Sequence, residues 1–173
     1  MKFFTPRTKA TFLRDLVYSA NDGVITTFAI VAGSQGASLD NSVILILGIA
    51  NLLADGFSMA SGSYLGVKTE VQYKKSQGEG DNGEGSPLSH GLVTFIGFLT
   101  IGLIPLIPFL ANLPGAFGVS TVFVGATLFF VGYARGKAIK IDGFRSGFEM
   151  LVIGGFAAFV AYAVGYILDH YIM

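Results

Sequence analysis

Residues 43–65 read VILILGIANLLADGFSMASGSYL, a stretch carrying one formal charge, at Asp55. A membrane-spanning helix needs about 20 predominantly apolar residues, and this stretch supplies them. Four further stretches read the same way, at 16–34, 92–111, 119–134 and 148–168. The expected fold is therefore all-α, a single polytopic membrane domain over residues 1–173 with five transmembrane helices. Composition agrees. Charged residues are 13% of the chain, roughly half the ~25% usual in soluble domains. Hydrophobic residues are 52% and the mean hydropathy is +0.65. Such a chain is neither a disordered segment nor a nucleic-acid binder. The absence of cysteine excludes disulfides, cysteine-based zinc sites and thiol catalysis.

The basic residues orient the spans. Lys2, Arg7, Lys9 and Arg14 precede the first, and Lys68, Lys74 and Lys75 follow the second. Arg135, Lys137, Lys140 and Arg145 separate the fourth from the fifth, which completes the 11 Lys and Arg of the chain. The positive-inside rule then predicts a cytoplasmic N-terminus and a C-terminus on the opposite side. That outcome requires an odd number of spans, so the charges support five independently of hydropathy. The first apolar stretch is too long for a cleavable leader and is expected to be retained as a span. The host is expected to be the cell membrane in a prokaryote and a vacuolar or other organelle membrane in a eukaryote.

Glycine is in excess, at 24 of 173 residues. Gly62 with Gly66, Gly132 with Gly136, and Ala157, Ala161 and Gly165 fall at the four-residue spacing that lets helices approach closely in lipid. Pro105 and Pro108 are expected to kink the third span. Residues 66–91 read as a flexible, acidic, Gly-rich cytoplasmic loop, with Glu79, Asp81 and Glu84 as weak cation attractors. Glu149 reads as ordinary electrostatics near a helix N-terminus. His90 and His170 are expected on opposite sides of the membrane, unable to share one metal. Tyr18, Tyr64, Tyr133 and Tyr166 suit interfacial anchoring.

Two acids sit inside apolar stretches, Asp22 and Asp55. An intramembrane carboxylate is costly and marks a functional position by default. Asn51, Asp55, Met59 and Ser63 each follow the last by four residues, so one helical stripe presents oxygen, oxygen, thioether and oxygen groups. Asp22 lies 8 residues past Arg14, about 12 Å into the span, and Met59 lies 9 residues before Lys68, about 14 Å in. The two should share a depth on neighbouring helices, with Asp55 deeper, about 20 Å from Lys68. A carboxylate beside a thioether favours soft-tolerant transition metals over Mg²⁺ or Ca²⁺. Burial disfavours a charged carboxylate and a bound divalent cation favours it, so metal binding and proton release are linked. The expected metal-contacting residues are Asp22, Met59, Asp55 and Asn51.

These residues resemble the vacuolar iron transporter family of Fe²⁺/Mn²⁺ transporters. The matching stretches are Ser19-Ala20-Asn21-Asp22-Gly23-Val24-Ile25-Thr26-Thr27 with Val31-Ala32-Gly33, and Ala54-Asp55-Gly56-Phe57-Ser58-Met59-Ala60. A weaker match is Glu149-Met150-Leu151-Val152-Ile153-Gly154-Gly155. The resemblance implies five spans, a homodimer with the ion path between the first two helices of both subunits, and exchange of metal for protons. It places the family's translocation Asp on Asp22 and its translocation Met on Met59. Two departures stand out. Ser63 occupies a position where many relatives have Glu, and the metal-collecting helical domain that plant relatives carry between spans two and three is missing.

The expected function is thus secondary transport of Fe²⁺ and/or Mn²⁺ out of the cytoplasm. The metal is substrate, with no cofactor, and the partners are the bilayer and a second copy, with no nucleic acid. The chain is not expected to be an enzyme. A non-transporting membrane assembly protein is the alternative. Intramembrane aspartyl proteolysis by the two Asp is a remote one, because their sequence contexts do not resemble those of such proteases.

Overall fold

The computed structural model describes residues 6–78 and 85–172, with side chains from Lys9 onward. Its elements are α1 (Pro6–Gly36), α2 (Asn41–Ser76), α3 (Pro87–Gly102), α4 (Ile107–Leu110), α5 (Ala116–Ala138) and α6 (Gly143–Tyr171). A 3₁₀ turn, Ile104–Leu106, joins α3 to α4. Among the described residues no strand occurs. Taking α3 to α4 as one traverse, five helical segments of 23 to 36 residues are long and apolar enough to cross a membrane.

Four segments contain an expected span and run beyond it, and the third starts earlier than expected and ends one residue short, at Leu110. The difference is largest in α2, whose 36 residues rise about 54 Å against a hydrocarbon core of about 30 Å. The helix continues to Ser76, so 66–76 is not loop, and α3 already begins at Pro87. The reason is composition: residues 67–76 contain no proline or glycine to stop the helix, whereas glycine becomes dense only from Gly78. Glu79, Asp81 and Glu84 lie outside the described residues.

The expected kink in the third span is a full break. Proline lacks the amide that continues the helical ladder; Pro105 lies in the 3₁₀ turn and Pro108 in the first turn of α4. The Ser120 hydroxyl of α5 donates to the Pro105 carbonyl at 2.7 Å, satisfying backbone that the break frees.

Helix α1 is central, packing against α2, α3, α5 and α6. Its Val24, Phe28 and Val31 meet Ile44, Leu106, Phe109, Val124, Leu128 and Met150 in one core. Outward-facing side chains are large and apolar, with Phe57 70% and Phe156 69% exposed, as a lipid-facing surface requires. Close approaches rest on glycine. A Cβ at Gly23 would lie 2.6 Å from the Phe98 carbonyl oxygen, and one at Gly132 2.6 Å from that of Ser146. Gly62 and Gly66 differ: nothing in the described chain comes within 4 Å of a Cβ there. Their open face is not used in packing this chain's own helices.

At the start of α6 the capping acid is Asp142, whose Oδ1 accepts from the Phe144 amide at 2.9 Å. Glu149 instead approaches Arg135 at 3.6 Å, an exposed pair of small energetic consequence.

Candidate functional site

The connections place the ends of α1, α2, α3, α5 and α6 so that every described Lys and Arg lies toward one end of the bundle. From that basic end a cavity of about 660 Å³ descends between α1 and α2, with α3 behind it. Helix α2 supplies Asp55, Met59, Gly62, Ser63, Gly66 and Glu70, a continuous stripe at helical spacing. Helix α1 supplies Arg14, Asp15 and Tyr18, and α3 supplies Thr94. Ser58, Gly62 and Gly66 are exposed, so the cavity is open sideways as well as toward the basic end.

Asp55 and Met59 thus share one wall and are half-buried. Asp22 is also half-buried but stands one turn beyond Tyr18, outside the cavity lining. Its carboxylate is within Coulombic reach of that of Asp55. The depth arithmetic places Asp22 level with Met59, and Asp55 is the charged group that Asp22 senses. Gly23, next in sequence, presses α1 onto α3 at Phe98, and the Thr26 hydroxyl donates to the Asp22 carbonyl at 2.9 Å. The position of the Asp22 backbone is therefore set by packing on one side and a local hydrogen bond on the other.

Asn51, a turn deeper than Asp55, does not line the cavity. Its Nδ2 is buried without a hydrogen-bond partner among the described residues. Unpaired buried amides cost free energy, which makes Asn51 a group awaiting a partner at the inner end of the stripe. Thr94 Oγ1, in the cavity wall, is likewise buried and unpartnered there.

Sequence reading missed Asp15 and His90 as a pair. Asp15 is nearly buried and its Oδ1 accepts from Arg14 Nε at 3.0 Å and Nη2 at 2.9 Å. Its Oδ2 pairs with His90 Nδ1 of α3, which is fully buried. One signal was present: Asp15 precedes Asp22 by seven residues, hence on the same face of α1. The 75-residue separation from His90 left no signal in sequence. His170, at the other end of the bundle, stacks on Tyr166 at 4.9 Å. Among the described residues no group of three or more His, Asp or Glu is arranged to hold a metal ion by itself.

Chemically, the cavity brings carboxylate and thioether donors together between helices long and apolar enough to cross a membrane, and it is reached from the basic end. Comparison with known proteins gives it context. The sequence model of the VIT family matches residues 13–82 and 77–166. A "Vacuolar iron transporter" of Toxoplasma gondii is 27% identical over 229 aligned positions, covering 94% of this chain and 76% of that protein. "Vacuolar iron transporter 1" of Arabidopsis thaliana is 25% identical, covering 94% of this chain and 88% of its own length. "Vacuolar iron transporter homolog 2" of Oryza sativa subsp. japonica is 26% identical, with 90% of both chains covered. The 229 aligned positions exceed the 173 residues of this chain, so the Toxoplasma protein carries residues without counterpart here. The two matched blocks meet at 77–82, inside the connection between α2 and α3.

Proposed function

This chain belongs to the VIT family and is a multi-pass integral membrane protein; from that premise we propose that it is a secondary transporter moving Fe²⁺ and/or Mn²⁺ out of the cytoplasm in exchange for protons. The observation that carries the reading is the polar stripe of α2, with Asp55 and Met59 on one cavity wall beside Asp22. A hydrated cation enters from the basic, cytoplasmic end and exchanges water for carboxylate and thioether donors. Met59 disfavours Mg²⁺, which gains nothing from sulfur. In general, a carboxylate taken out of water holds a proton more readily until a cation compensates its charge. Binding of a divalent cation then releases that proton.

The homodimer follows from the same wall. A cavity with Asp55 that opened sideways onto lipid would expose charge to hydrocarbon. Closure by a second copy along Ser58, Gly62 and Gly66 removes that cost, and these residues leave room for a close helix. The path then runs between the α1 and α2 helices of both subunits.

The test is uptake of Fe²⁺, Mn²⁺, Zn²⁺ and Mg²⁺ into proteoliposomes with and without an acidic interior. Fe²⁺ or Mn²⁺ uptake that rises with the gradient, and falls at least about ten-fold in Asp22→Asn and Met59→Ala, is expected. Flux that is absent, or unchanged in both variants, refutes the mechanism. Flux indifferent to the gradient refutes the proton exchange alone.

A further inference from the structure

A second cavity, of about 460 Å³, lies on the other side of α1, between α1, α5 and α6. Arg14 and Tyr18 border both cavities. Their charges are opposite in sign. Asp15, Asp55 and Glu70 line the first, with Arg14 as its one base. Arg14 and Arg135 line the second, and no described carboxylate does.

Both arginines keep donors for a further acceptor. Arg14 spends Nε and Nη2 on Asp15, which leaves Nη1. Arg135 meets Glu149 at 3.6 Å, too long for a hydrogen bond. Two guanidinium groups that border one cavity from α1 and α5 suit a phosphate, whose oxygens accept from such forks. The rest of the cavity is mostly apolar, with Leu13, Val17, Met150 and Ile153 in its walls. It extends inward as far as Asn21, seven residues or about 10 Å past Arg14 along the helix. A soluble anion would leave that apolar wall uncovered, whereas a phosphate carried on acyl chains matches both halves of the cavity. The positive-inside rule sets the basic end at the cytoplasmic leaflet, where anionic lipids supply the negative surface.

We propose that this cavity is a site for an anionic phospholipid of the cytoplasmic leaflet. The phosphate lies between Arg14 and Arg135, and an acyl chain follows Leu13, Val17 and Ile153 inward. The site is independent of what the first cavity transports. It is also compatible with closure of that cavity by a second copy along α2, because no residue of α2 borders it.

The experiment is native mass spectrometry of the full chain released from detergent, with dioleoyl phosphatidylglycerol or dioleoyl phosphatidylcholine added. This reads lipid occupancy and oligomeric state together. Phosphatidylglycerol is expected to bind saturably, about ten-fold tighter than phosphatidylcholine, and soluble glycerol phosphate at equal concentration should not displace it. Arg135→Gln, which leaves the contact of Arg14 with Asp15 in place, should weaken phosphatidylglycerol on the order of five-fold. Arg145→Gln removes the same charge at the same end from an exposed residue outside the cavity, and should change binding by less than about two-fold. Ile153→Trp should also weaken binding, because it fills the apolar wall without altering charge. Equal affinity for the two lipids overturns the proposal, and that comparison uses the unmutated chain, so a misfolded variant does not decide it. An Arg145→Gln loss equal to that of Arg135→Gln, or an Ile153→Trp protein with full affinity, overturns it in favour of a diffuse basic surface. Displacement by glycerol phosphate overturns it in favour of a soluble anion. A change in the proportion of dimer in Arg135→Gln with lipid binding unaltered overturns it in favour of a second copy covering the cavity.

Discussion

Replacing Gly23 by alanine tests whether the placement of Asp22 depends on close contact between α1 and α3. An added Cβ would lie 2.6 Å from the Phe98 carbonyl oxygen, 3.2 Å from its Cα and 3.3 Å from its carbonyl carbon. All three are backbone atoms, so no side chain can rotate away. The helices must part by roughly 0.4 Å merely to clear 3.0 Å. Overpacking of this kind costs about 1–3 kcal/mol. For a chain of this length each kcal/mol lowers Tm by about 2–4 °C, so a drop of about 2–12 °C is expected in detergent or nanodiscs. The same displacement carries Asp22, the preceding residue, away from its place beside Asp55. Transport should fall more than stability does, as a lower maximal rate at a temperature where the variant remains folded. Gly155→Ala is the control, since Gly155 is exposed on α6, away from the cavity, and nothing in the described chain lies within 4 Å of a Cβ there. A Gly23→Ala protein with Tm within about 1 °C of the parent and full transport would refute the packing argument.

Two further outcomes follow from other parts of the bundle. The chain has no cysteine, so Ser63→Cys gives a single thiol on the open face of α2; mild oxidation should yield a covalent dimer if two copies meet there, while Phe156→Cys on the exposed face of α6 should not. Failure of Ser63→Cys to cross-link above the Phe156→Cys background argues against closure along this face. Asp142→Ala removes the side chain that caps α6, which should cost about 1 kcal/mol and lower Tm by about 2–4 °C while leaving KM for metal unchanged; a larger loss of transport than of stability would give Asp142 a different role.

Hydropathy made the five helices legible because each needs one continuous apolar run, and the segments seen coincide with the expected runs to within one residue of full coverage. Their ends were harder to place. Gly66 lies mid-helix, with nothing in the described chain within 4 Å of a Cβ there, and the chain stays helical to Ser76. A membrane-length rule stops a span where the lipid stops, whereas a helix stops where its residues disfavour it. The stripe from Asn51 to Ser63 was legible for the opposite reason, since four-residue spacing converts directly into a shared face. Its relation to Asp22 was not. Depth along each helix follows from rise per residue, but rotation and crossing depend on contacts such as Gly23 against Phe98, and no one-dimensional pattern encodes them. The same holds for Asp15 and His90, joined across 75 residues.

Why the candidate path borders α1 and not another helix follows from how polarity is distributed. Helix α1 carries Asp15, Ser19, Thr27 and Ser34 buried, with Asn21, Asp22 and Thr26 half-buried. Such a helix cannot face lipid without cost at each of these groups, and it lies at the centre, in contact with four of the five others. Helix α6 is the converse case. Its acids Glu149 and Asp169 sit near its two ends and its middle is apolar, with Val152, Ile153, Phe156 and Phe159 exposed. A cation crossing beside α5 and α6 would find no carboxylate between those ends. Crossing between α1 and α2, it would pass Glu70 near the basic end and then Asp22, Met59 and Asp55 within the span. Asp15, one of the polar residues that keep α1 in the interior, also lines the cavity of the proposed path, so packing and the proposed function point to the same helix.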